Sequence, residues 1–438
     1  MSQSLRRVSL RSKIAESKRP EDVLLARHSF SDMVSTITRE LVYRWNDKIE
    51  RKKYNVYLNR VRSLVNEYDY FIAGTPEARL VEMIVDAITG YDILHPFVAN
   101  QAITNIDVQA FDDVRVMEDM RWRKPPISFG SEQKLQDYIH RLFLRLGGRF
   151  SLDNPLAKVE DEEWNLRIRA AGFDVSPDSP TLTIRKLRKE ALGPEEIKYA
   201  MSDNIHKFLD FTAKAGYTVG FVGPFGSGKT TVLGTFISWM PTTKKVGLIQ
   251  SSNEIPKVHP FMIRRMTREK VGERGRMISE IDILDFIKQE NPQSIALGEF
   301  LDGAALTMLH ILQLGIQSCF TYHANDPRGA IQAFVFMMMR AGGGYDVRYL
   351  IEELAKNMDL VVIMDRRRVR EIIQFTGEIE EGSYMPVYKT LYKFNVESEN
   401  KYELMGSWSR DYDVRLCDKL VEKAKLNGVP IPPELRLV

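Results

Sequence analysis

The chain has 438 residues, a length typical of two or three domains. Hydrophobic residues make up 44% and charged residues 28%, close to the globular average, so the composition excludes wholesale disorder and a fibrous repeat. A balance of 62 Lys+Arg against 59 Asp+Glu excludes the chain-wide basic field of many nucleic-acid-binding proteins. The two cysteines, Cys319 and Cys417, can form neither a disulfide framework nor a four-cysteine zinc module, so we expect a reducing compartment.

The N-terminal part is predicted to be a leader followed by helices. Residues 1–27 are basic and lack the apolar stretch of an export signal, so we expect a flexible leader there. Apolar residues recur at helical spacing between His28 and Phe71, and this predicts one or two amphipathic helices within a helical region spanning 28–75.

Residues 76–193 mix helical and strand patterns and are predicted to form an α+β domain. The elements expected there are helices at Leu80–Thr89 and Glu132–Leu146 and strands at Ile106–Phe111 and Val114–Glu118. Trp164–Arg169 and Pro180–Lys186 flank the turn-rich DVSPDS segment, so we expect a hairpin at the edge of a sheet.

From residue 194 to 438 the pattern changes to alternating strands and helices, which is typical of an α/β domain with a largely parallel sheet. The predicted strands are Thr218–Val222, Val246–Ile249, Ser294–Leu297, Cys319–Thr321 and Leu360–Met364. A late hairpin (Tyr388–Val396 with Tyr402–Trp408) and a helix (Asp411–Asn427) complete the domain. The apolar stretch Ile295–Ile316 contains charged residues, so no membrane span is predicted.

One motif carries most of the chemistry. GPFGSGKT matches G-x-x-x-x-G-K-[ST], follows the apolar run TVGFV and precedes a helical pattern, as a phosphate-binding loop requires. Glycines leave the backbone N–H groups free to wrap a phosphate, and the helix start favours an anion. Lys229 is expected to reach the β- and γ-phosphates and Thr230 to offer its hydroxyl to Mg²⁺. The candidate nucleotide-binding residues are Gly223, Gly226, Ser227, Gly228, Lys229, Thr230 and Thr231.

Three residues at predicted strand ends are candidate catalytic groups. Glu299 ends the apolar strand IALG, where a carboxylate can position water or metal beside the γ-phosphate. Glu254 follows VGLIQ, and His323 follows CFTY, where an imidazole can sense the γ-phosphate by hydrogen bonding. Without the phosphate-binding loop, each would be an ordinary polar residue of a loop.

Phosphoryl transfer also needs cations to neutralise the developing charge. Four arginines in or near predicted strands are candidates, although most arginines in such a chain are solvated surface charges. They are Arg167, Arg185, Arg264 and Arg268.

The chain resembles the ATPases of the type II/type IV secretion superfamily, and especially the tight-adherence (Flp) pilus assembly branch known as CpaF or TadA. The resemblance covers more than three quarters of the chain, in order and spacing. Its segments are ITGYDILHPF, LTIRK, FGSGKTT, HPFMIRRMTR, GE, YHAND and GVPIPPEL.

The resemblance implies a RecA-like ATPase domain behind an α+β domain, with ATP and Mg²⁺ bound between them in a cytoplasmic homohexamer. It implies association with the inner face of the membrane, where hydrolysis acts on a platform protein. Lys229 and Thr230 fall on Walker A, Glu254 on the Asp box, Glu299 on Walker B and His323 on the His box.

The resemblance further implies that Arg167 and Arg185 reach phosphates from the N-terminal domain, and that Arg264 and Arg268 match basic positions after the Asp box.

Several positions depart from the family pattern. Gln250 and Ser251 replace two acids of the Asp box, Gln293 replaces the aspartate before the Walker B strand, and Leu301 replaces an arginine. Gly315 stands in place of the first His-box histidine. These departures leave the rate of hydrolysis open.

Three functions follow from the sequence. The first is an ATPase that powers pilus assembly or macromolecular secretion, and the second is a ring subunit that binds nucleotide with little hydrolysis. The third is a DNA-translocating motor of a conjugation machine, against which the near-neutral charge argues.

Overall fold

A computed structural model describes residues 30–45, 49–50, 53–118, 121–268, 276–300, 302–399 and 404–435. The predicted leader, residues 1–27, lies outside them. The chain divides into two compact units, Met1–Leu187 and Arg188–Val438. The domain boundaries expected from the sequence, including the one after residue 193, stay predictions.

The first unit begins with three helices, α1 (Phe30–Trp45), α2 (Tyr54–Glu67) and α3 (Glu77–Thr89). Their apolar residues recur at helical spacing and bury side chains such as Ile37 and Val61 in one shared core. The expectation of one or two amphipathic helices between residues 28 and 71 is therefore confirmed, and there are two among the described residues, α1 and α2.

A six-stranded antiparallel sheet forms the rest of this unit, in the order β3-β2-β1-β6-β5-β4. Apolar residues of the sheet share a core with α5 (Glu132–Arg145), and the short α4 (His95–Ala99) precedes the first strand. The predicted α+β character is confirmed. The strands are β1 (Ile103–Ala110), β2 (Asp113–Glu118), β3 (Arg121–Arg123), β4 (Leu156–Asp161), β5 (Leu166–Ala171) and β6 (Thr181–Lys186).

The prediction of a hairpin at the sheet edge is correct in its pairing and wrong in its place. β5 and β6 pair antiparallel as expected, but β6 also pairs with β1 and β5 with β4, so both strands lie inside the sheet. Sequence analysis missed β4, which pairs with β5 and forms that edge of the sheet.

The second unit contains a nine-stranded sheet in the order β15-β14-β13-β12-β7-β11-β10-β8-β9. The six strands from β12 to β9 run parallel, and β13 to β15 extend the sheet antiparallel. The strands are β7 (Val219–Val222), β8 (Val246–Gln250), β9 (Met262–Met266), β10 (Ser294–Leu297), β11 (Gln317–Tyr322), β12 (Leu360–Asp365), β13 (Arg368–Ile379), β14 (Pro386–Glu399) and β15 (Leu404–Arg410).

Helices cover both faces of the parallel strands. One apolar core joins the sheet to helices α7, α8 and α13, and a second joins the opposite face to α9 through α12. Since strands buried on both faces carry continuous apolar runs, the five strands predicted from such runs are confirmed. The helices are α6 (Pro194–Ala200), α7 (Asp203–Ala215), α8 (Lys229–Ser238), α9 (Glu280–Gln289), α10 (Ala305–Gln313), α11 (Pro327–Arg340), α12 (Val347–Asn357) and α13 (Asp418–Leu426). The predicted α/β fold class with a largely parallel sheet is confirmed.

Two expectations near the C-terminus need correction. The last helix begins at Asp418, seven residues later than predicted from Asp411, because Cys417 N–H donates to Gln374 Oε1 at 2.9 Å and holds the preceding chain extended. The late hairpin is confirmed, with a first strand that is longer than predicted and a second strand described as Leu404–Arg410. Sequence analysis missed β9 and β13. Within the part of the chain that the structure describes, no helix combines the length and apolarity needed to cross a bilayer.

Candidate nucleotide-binding site

The phosphate-binding loop connects the central strand β7 to α8, and its glycines are required by the backbone. Gly226 and Gly228 have left-handed φ values of +74° and +92°. A Cβ on Gly223 would meet the carbonyl oxygen of Met364 at 2.2 Å. The chain can therefore form this tight loop, with backbone exposed at the start of a helix, only where side chains are absent.

A buried hydroxyl in this loop fits a phosphate ligand. Ser227 Oγ has no hydrogen-bond partner among the described residues. A buried polar group without a partner is costly, and a phosphate oxygen at the N-terminus of α8 would satisfy it. Thr230 and Thr231 lie half-buried on the first turn of α8, beside the same position.

Lys229 is 6% exposed and makes its contacts inside the loop. Its Nζ donates to the carbonyls of Gly223 and Pro224, both at 2.8 Å. Burial lowers the pKa of Lys229 to about 8, against the opposing effect of the nearby charges of Glu299 and Glu254. An anion with several oxygens would therefore stabilise the charged amine more fully than two carbonyl oxygens do.

His323 connects the loop to Glu299. Its Nδ1 lies 3.2 Å from Gly223 O and 3.3 Å from Lys229 Nζ, and its Nε2 lies 3.6 Å from Glu299 Oε1. Nδ1 can donate to the carbonyl or accept from the amine, but not both at once. The structure thus brings three predicted site residues, Lys229, Glu299 and His323, into one contact chain.

Phe225 is a member of this cluster that sequence analysis did not single out. Its ring is 86% exposed and lies 4.0 Å from the His323 ring, centroid to centroid, at an angle of 33°. The sequence shows a phenylalanine within the glycine loop, but it shows neither the exposure of this ring nor its contact with His323.

Glu254 lies in the loop that follows β8, at the same edge of the sheet. Gln250, where the family has an acid, is buried and accepts the backbone N–H of Ile255 through Oε1 at 3.0 Å. Asn253 in this loop accepts from Arg264 Nη1 at 2.7 Å. Gln250 and Arg264 thus shape the loop that carries Glu254, while Ser251 is exposed at the start of the loop.

Arg268 follows β9, two residues after the last residue of that strand, Met266. It is exposed, pairs with Ile278 through two backbone hydrogen bonds, and donates to the carbonyl oxygen of Arg276 at 3.2 Å. These contacts are with the segment that leads into α9.

Arg167 and Arg185 belong to the first unit and face each other. They are directly opposite in the antiparallel pair of β5 and β6, so their side chains leave the same face of the sheet. Like charges in this position repel each other, but Glu160 of β4 lies directly opposite Arg167 on its other side, so a carboxylate on the same face offsets part of that repulsion.

Two other departures from the family pattern lie at the opposite end of the parallel strands. Gln293 precedes β10, and its Oε1 accepts the backbone N–H of Lys245 at 2.7 Å. Gly315 ends α10 with a left-handed φ of +75° before β11 begins. Neither substitution removes a group from the carboxyl edge where Glu299 and His323 lie. Leu301 lies outside the described residues.

A nucleotide-bound Mg²⁺ takes most of its oxygen ligands from phosphates and water and few from the protein. Thr230 offers a hydroxyl in the first turn of α8, and two carboxylates, Glu299 and Glu254, act electrostatically on Lys229. The residues present therefore fit Mg²⁺ bound together with phosphates.

Sequence analysis also missed Glu280 and the arginines at the tip of the β12–β13 hairpin. Burial, with the charge of Glu299, raises the pKa of Glu280 to about 7. Glu280 begins α9, and no spacing rule connects it to Glu299. The arginines formed a visible run, RRR, but only the strand order places them beside the phosphate-binding loop.

Comparison with known families gives a match over more than half of the chain. Residues 152–405 match the family described as "Type II/IV secretion system protein". The matched segment includes the phosphate-binding loop, Glu254, Glu299 and His323.

Individual proteins show more distant similarity. A protein of Methanocaldococcus jannaschii named only as uncharacterized is 25% identical over 269 residues, which cover 60% of this chain and 49% of that protein. The VirB11 protein of Agrobacterium fabrum is 28% identical over 169 residues, or 38% of this chain and 49% of that protein. The chain thus matches about half the length of each of these relatives.

Among solved structures, the pilus retraction motor PilT with bound ADP is similar over 68% of this chain and 81% of its own, with 17% identity and a TM-score of 0.45.

Proposed function

Because this chain belongs to the type II/IV secretion system protein family, we propose that it is an ATPase whose turnover drives pilus assembly or macromolecular secretion. Within that family we assign it to the tight-adherence pilus branch. The observation that carries the proposal is the contact chain in which His323 joins the phosphate-binding loop to Glu299.

The side chains divide the chemistry between them. Lys229 and the loop N–H groups hold the β- and γ-phosphates, and Glu299 orients the attacking water and accepts its proton. His323, within reach of both, reports the γ-phosphate to Glu299. Glu254 adds a second carboxylate at the same edge. When bound to Thr230 and the phosphates, Mg²⁺ supplies charge neutralisation.

We further propose that the working form is a cytoplasmic homohexamer that acts on an inner-membrane platform protein. The facing pair Arg167 and Arg185 supports a shared site, because two neighbouring guanidinium groups on one sheet face can make forked hydrogen bonds to a phosphate. Their role is to neutralise phosphate charge from the first unit of the same or a neighbouring subunit. Arg264 and Arg268 are proposed to support the Glu254 side.

The first test is steady-state hydrolysis of Mg·ATP by the purified full chain, alone and with its membrane platform. Lys229→Ala is the matched inactive variant, because it removes the amine that the loop positions. Turnover that is equal in wild type and Lys229→Ala would mean that this site is not the source of the activity.

The second test concerns the ring. Arg185→Ala should lower turnover, whereas Arg169→Ala, which removes another exposed arginine from the neighbouring strand β5, should not. Mixing Arg185→Ala with Lys229→Ala subunits should restore part of the activity if one subunit completes the site of another. No recovery, together with a monomeric mass, would contradict the shared site.

A second candidate function is a ring subunit that binds nucleotide with little hydrolysis. Gln250 favours it, since a family acid is replaced by an uncharged side chain that is engaged with the backbone of its own loop. A burst of one turnover per subunit followed by negligible steady-state turnover would identify this function. A DNA-translocating motor would instead show salt-dependent binding to DNA.

A further inference from the structure

The hairpin between β12 and β13 has an unusual amino-acid sequence for the conformation of its turn. Its two-residue loop consists of Arg366 and Arg367, flanked by the pair Asp365 and Arg368. Both loop residues have left-handed φ values, +44° and +65°. Such a turn strongly favours Asn-Gly, and side chains other than glycine and asparagine are disfavoured there. A strained turn made of two arginines suggests a role other than turn formation.

This tip lies against the phosphate-binding loop. The backbone N–H of Arg367 donates to Ser227 O at 3.1 Å. A Cβ built on Gly228 would lie 3.4, 3.7 and 3.8 Å from Cα, Cβ and Cγ of Arg367. The stem of an exposed arginine therefore passes over the residue that precedes Lys229, at the point where α8 begins.

The next arginine in the run has a different environment. The guanidinium of Arg368 lies over three aromatic rings, 4.3 Å from the centroid of Tyr199, 5.7 Å from Phe394 and 5.8 Å from Trp408. Arg368 is thus fixed by cation–π contacts at the base of the hairpin. This anchor fixes the position of the two-arginine tip.

Strand order tells which part of a nucleotide the tip would meet. β7 lies between β12 and β11. Glu299 and His323 follow β10 and β11, on one side of the loop, and the arginine tip follows β12, on the other side. A triphosphate with its γ-phosphate toward Glu299 and His323 would extend its α-phosphate and ribose toward β12.

We propose that Arg366 and Arg367 form a cationic contact for the α-phosphate and ribose half of the bound nucleotide. This inference rests on the proposed function, since it assigns residues to the same nucleotide site. Guanidinium groups make charge-assisted, forked hydrogen bonds to phosphate, which explains why arginines stand where the turn favours Asn-Gly.

The test replaces the tip with the sequence that the turn favours. In the double variant Arg366→Asn/Arg367→Gly we expect the thermal unfolding midpoint to stay equal or rise, because turn strain is relieved. We expect the affinities for ATP and ADP to fall by the same factor, about tenfold or more. Affinities are measured by titration calorimetry on the full chain, and the native mass is checked in parallel.

The controls separate charge from structure. Arg370→Gln removes a nearby arginine that pairs with Asp365 at 3.8 Å, and it should leave both affinities unchanged. Arg366→Lys/Arg367→Lys keeps the charge, so its affinities should lie between those of the wild type and of the Asn-Gly variant. If the two double variants lose affinity equally, the charge is not the cause and the proposal fails.

Three results are decisive. Unchanged affinity for both nucleotides in the Asn-Gly variant would overturn the inference and leave the proposed function intact. A loss confined to ATP would place the arginines at the γ-phosphate and would also overturn it. Absence of ATP and ADP binding by the wild type would instead contradict the proposed function itself.

Discussion

The two ends of the parallel strands in the second unit treat buried charge in opposite ways. At the carboxyl edge, Lys229 is surrounded by carbonyl oxygens and an imidazole, and burial lowers its pKa to about 8. At the amino edge, the buried Asp359 accepts the backbone N–H of Thr218 at 2.8 Å and pairs with Lys423 at 2.5 Å and Lys419 at 3.4 Å.

This difference teaches which charges serve binding and which serve the fold. Asp359 has full-charge partners within its own unit, so removing it leaves two amines without their acid. Among the described residues, the direct hydrogen-bond partners of Lys229 are dipolar groups, and burial lowers its pKa despite the charges of Glu299 and Glu254, so its charge is under-compensated until an anion is added. Substitutions at the two sites should therefore separate activity from stability.

The largest effect is expected at Lys229. Lys229→Met keeps the aliphatic stem and removes the charge, and we expect ATP turnover to fall by about 10³-fold or more. The free energy of unfolding should be at least as high as in the wild type, because the folded state disfavours the charged amine. Steady-state kinetics and urea unfolding measure the two quantities. Equal activity, or a large loss of stability, would remove the contrast between the edges.

A substitution at Glu299 should also lower turnover without lowering stability, and its effect on turnover should be smaller than that of Lys229→Met. Glu299→Gln is expected to keep nucleotide affinity and to lower turnover by about 10²-fold, the scale of a general acid–base contribution. Its side chain is 43% exposed, so the contact with His323 contributes little to stability. Calorimetric binding and single-turnover hydrolysis are the measurements. Lost binding with normal residual turnover would give Glu299 a structural role.

A substitution at the amino edge should lower the stability of the protein and leave its affinity for ATP unchanged. Asp359→Asn is expected to lower the free energy of unfolding by about 2–3 kcal/mol, because a buried acid with two amine partners is removed. Asp210→Asn is the matched control, since its pair with Lys214 at 2.7 Å is partly exposed and is expected to contribute about 0.5 kcal/mol or less. At temperatures where the variant is folded, its ATP affinity should equal that of the wild type. A weaker affinity there would show that the two edges are coupled.

The sequence was sufficient where the signal is local. The phosphate-binding loop and the buried strands β7, β8, β10, β11 and β12 are specified by glycines and apolar runs within a few residues, and each lies where expected. The start of the last helix could not be predicted in this way, because it depends on the hydrogen bond from Cys417 to Gln374, a residue 43 positions earlier.

The same limit applies to the candidate site. Glu299 and His323 could be named from strand ends, because the carboxyl ends of parallel strands share one edge. Arg366 and Arg367 could not, since β12 lies beside β7 only through the order of strands in the folded sheet. The departure at Gln250 looked like a lost acid, and only the structure gives it a bond to Ile255.

The smallest expected effect is a proton taken up on binding. The pKa of Lys229 is about 8 in the folded protein, whereas an ordinary lysine, as in the unfolded chain, has a pKa of 10.5. At pH values between these two, the folded state therefore binds fewer protons than the unfolded state. Stability from this group therefore rises as pH increases through that window. Phosphate oxygens beside the amine would raise its pKa, so ATP binding at a pH of about 8.5 should take up a fraction of one proton.

Calorimetry in two buffers of different ionisation enthalpy measures this uptake directly. At a pH of about 6.5 Lys229 is already charged, so the uptake assigned to it should disappear, and Lys229→Met should abolish it at the higher pH. Asp359→Asn alters the other edge of the sheet and should leave the uptake unchanged. Uptake that persists in Lys229→Met, or is lost in Asp359→Asn, would mean that the binding-linked charge does not belong to the carboxyl edge alone.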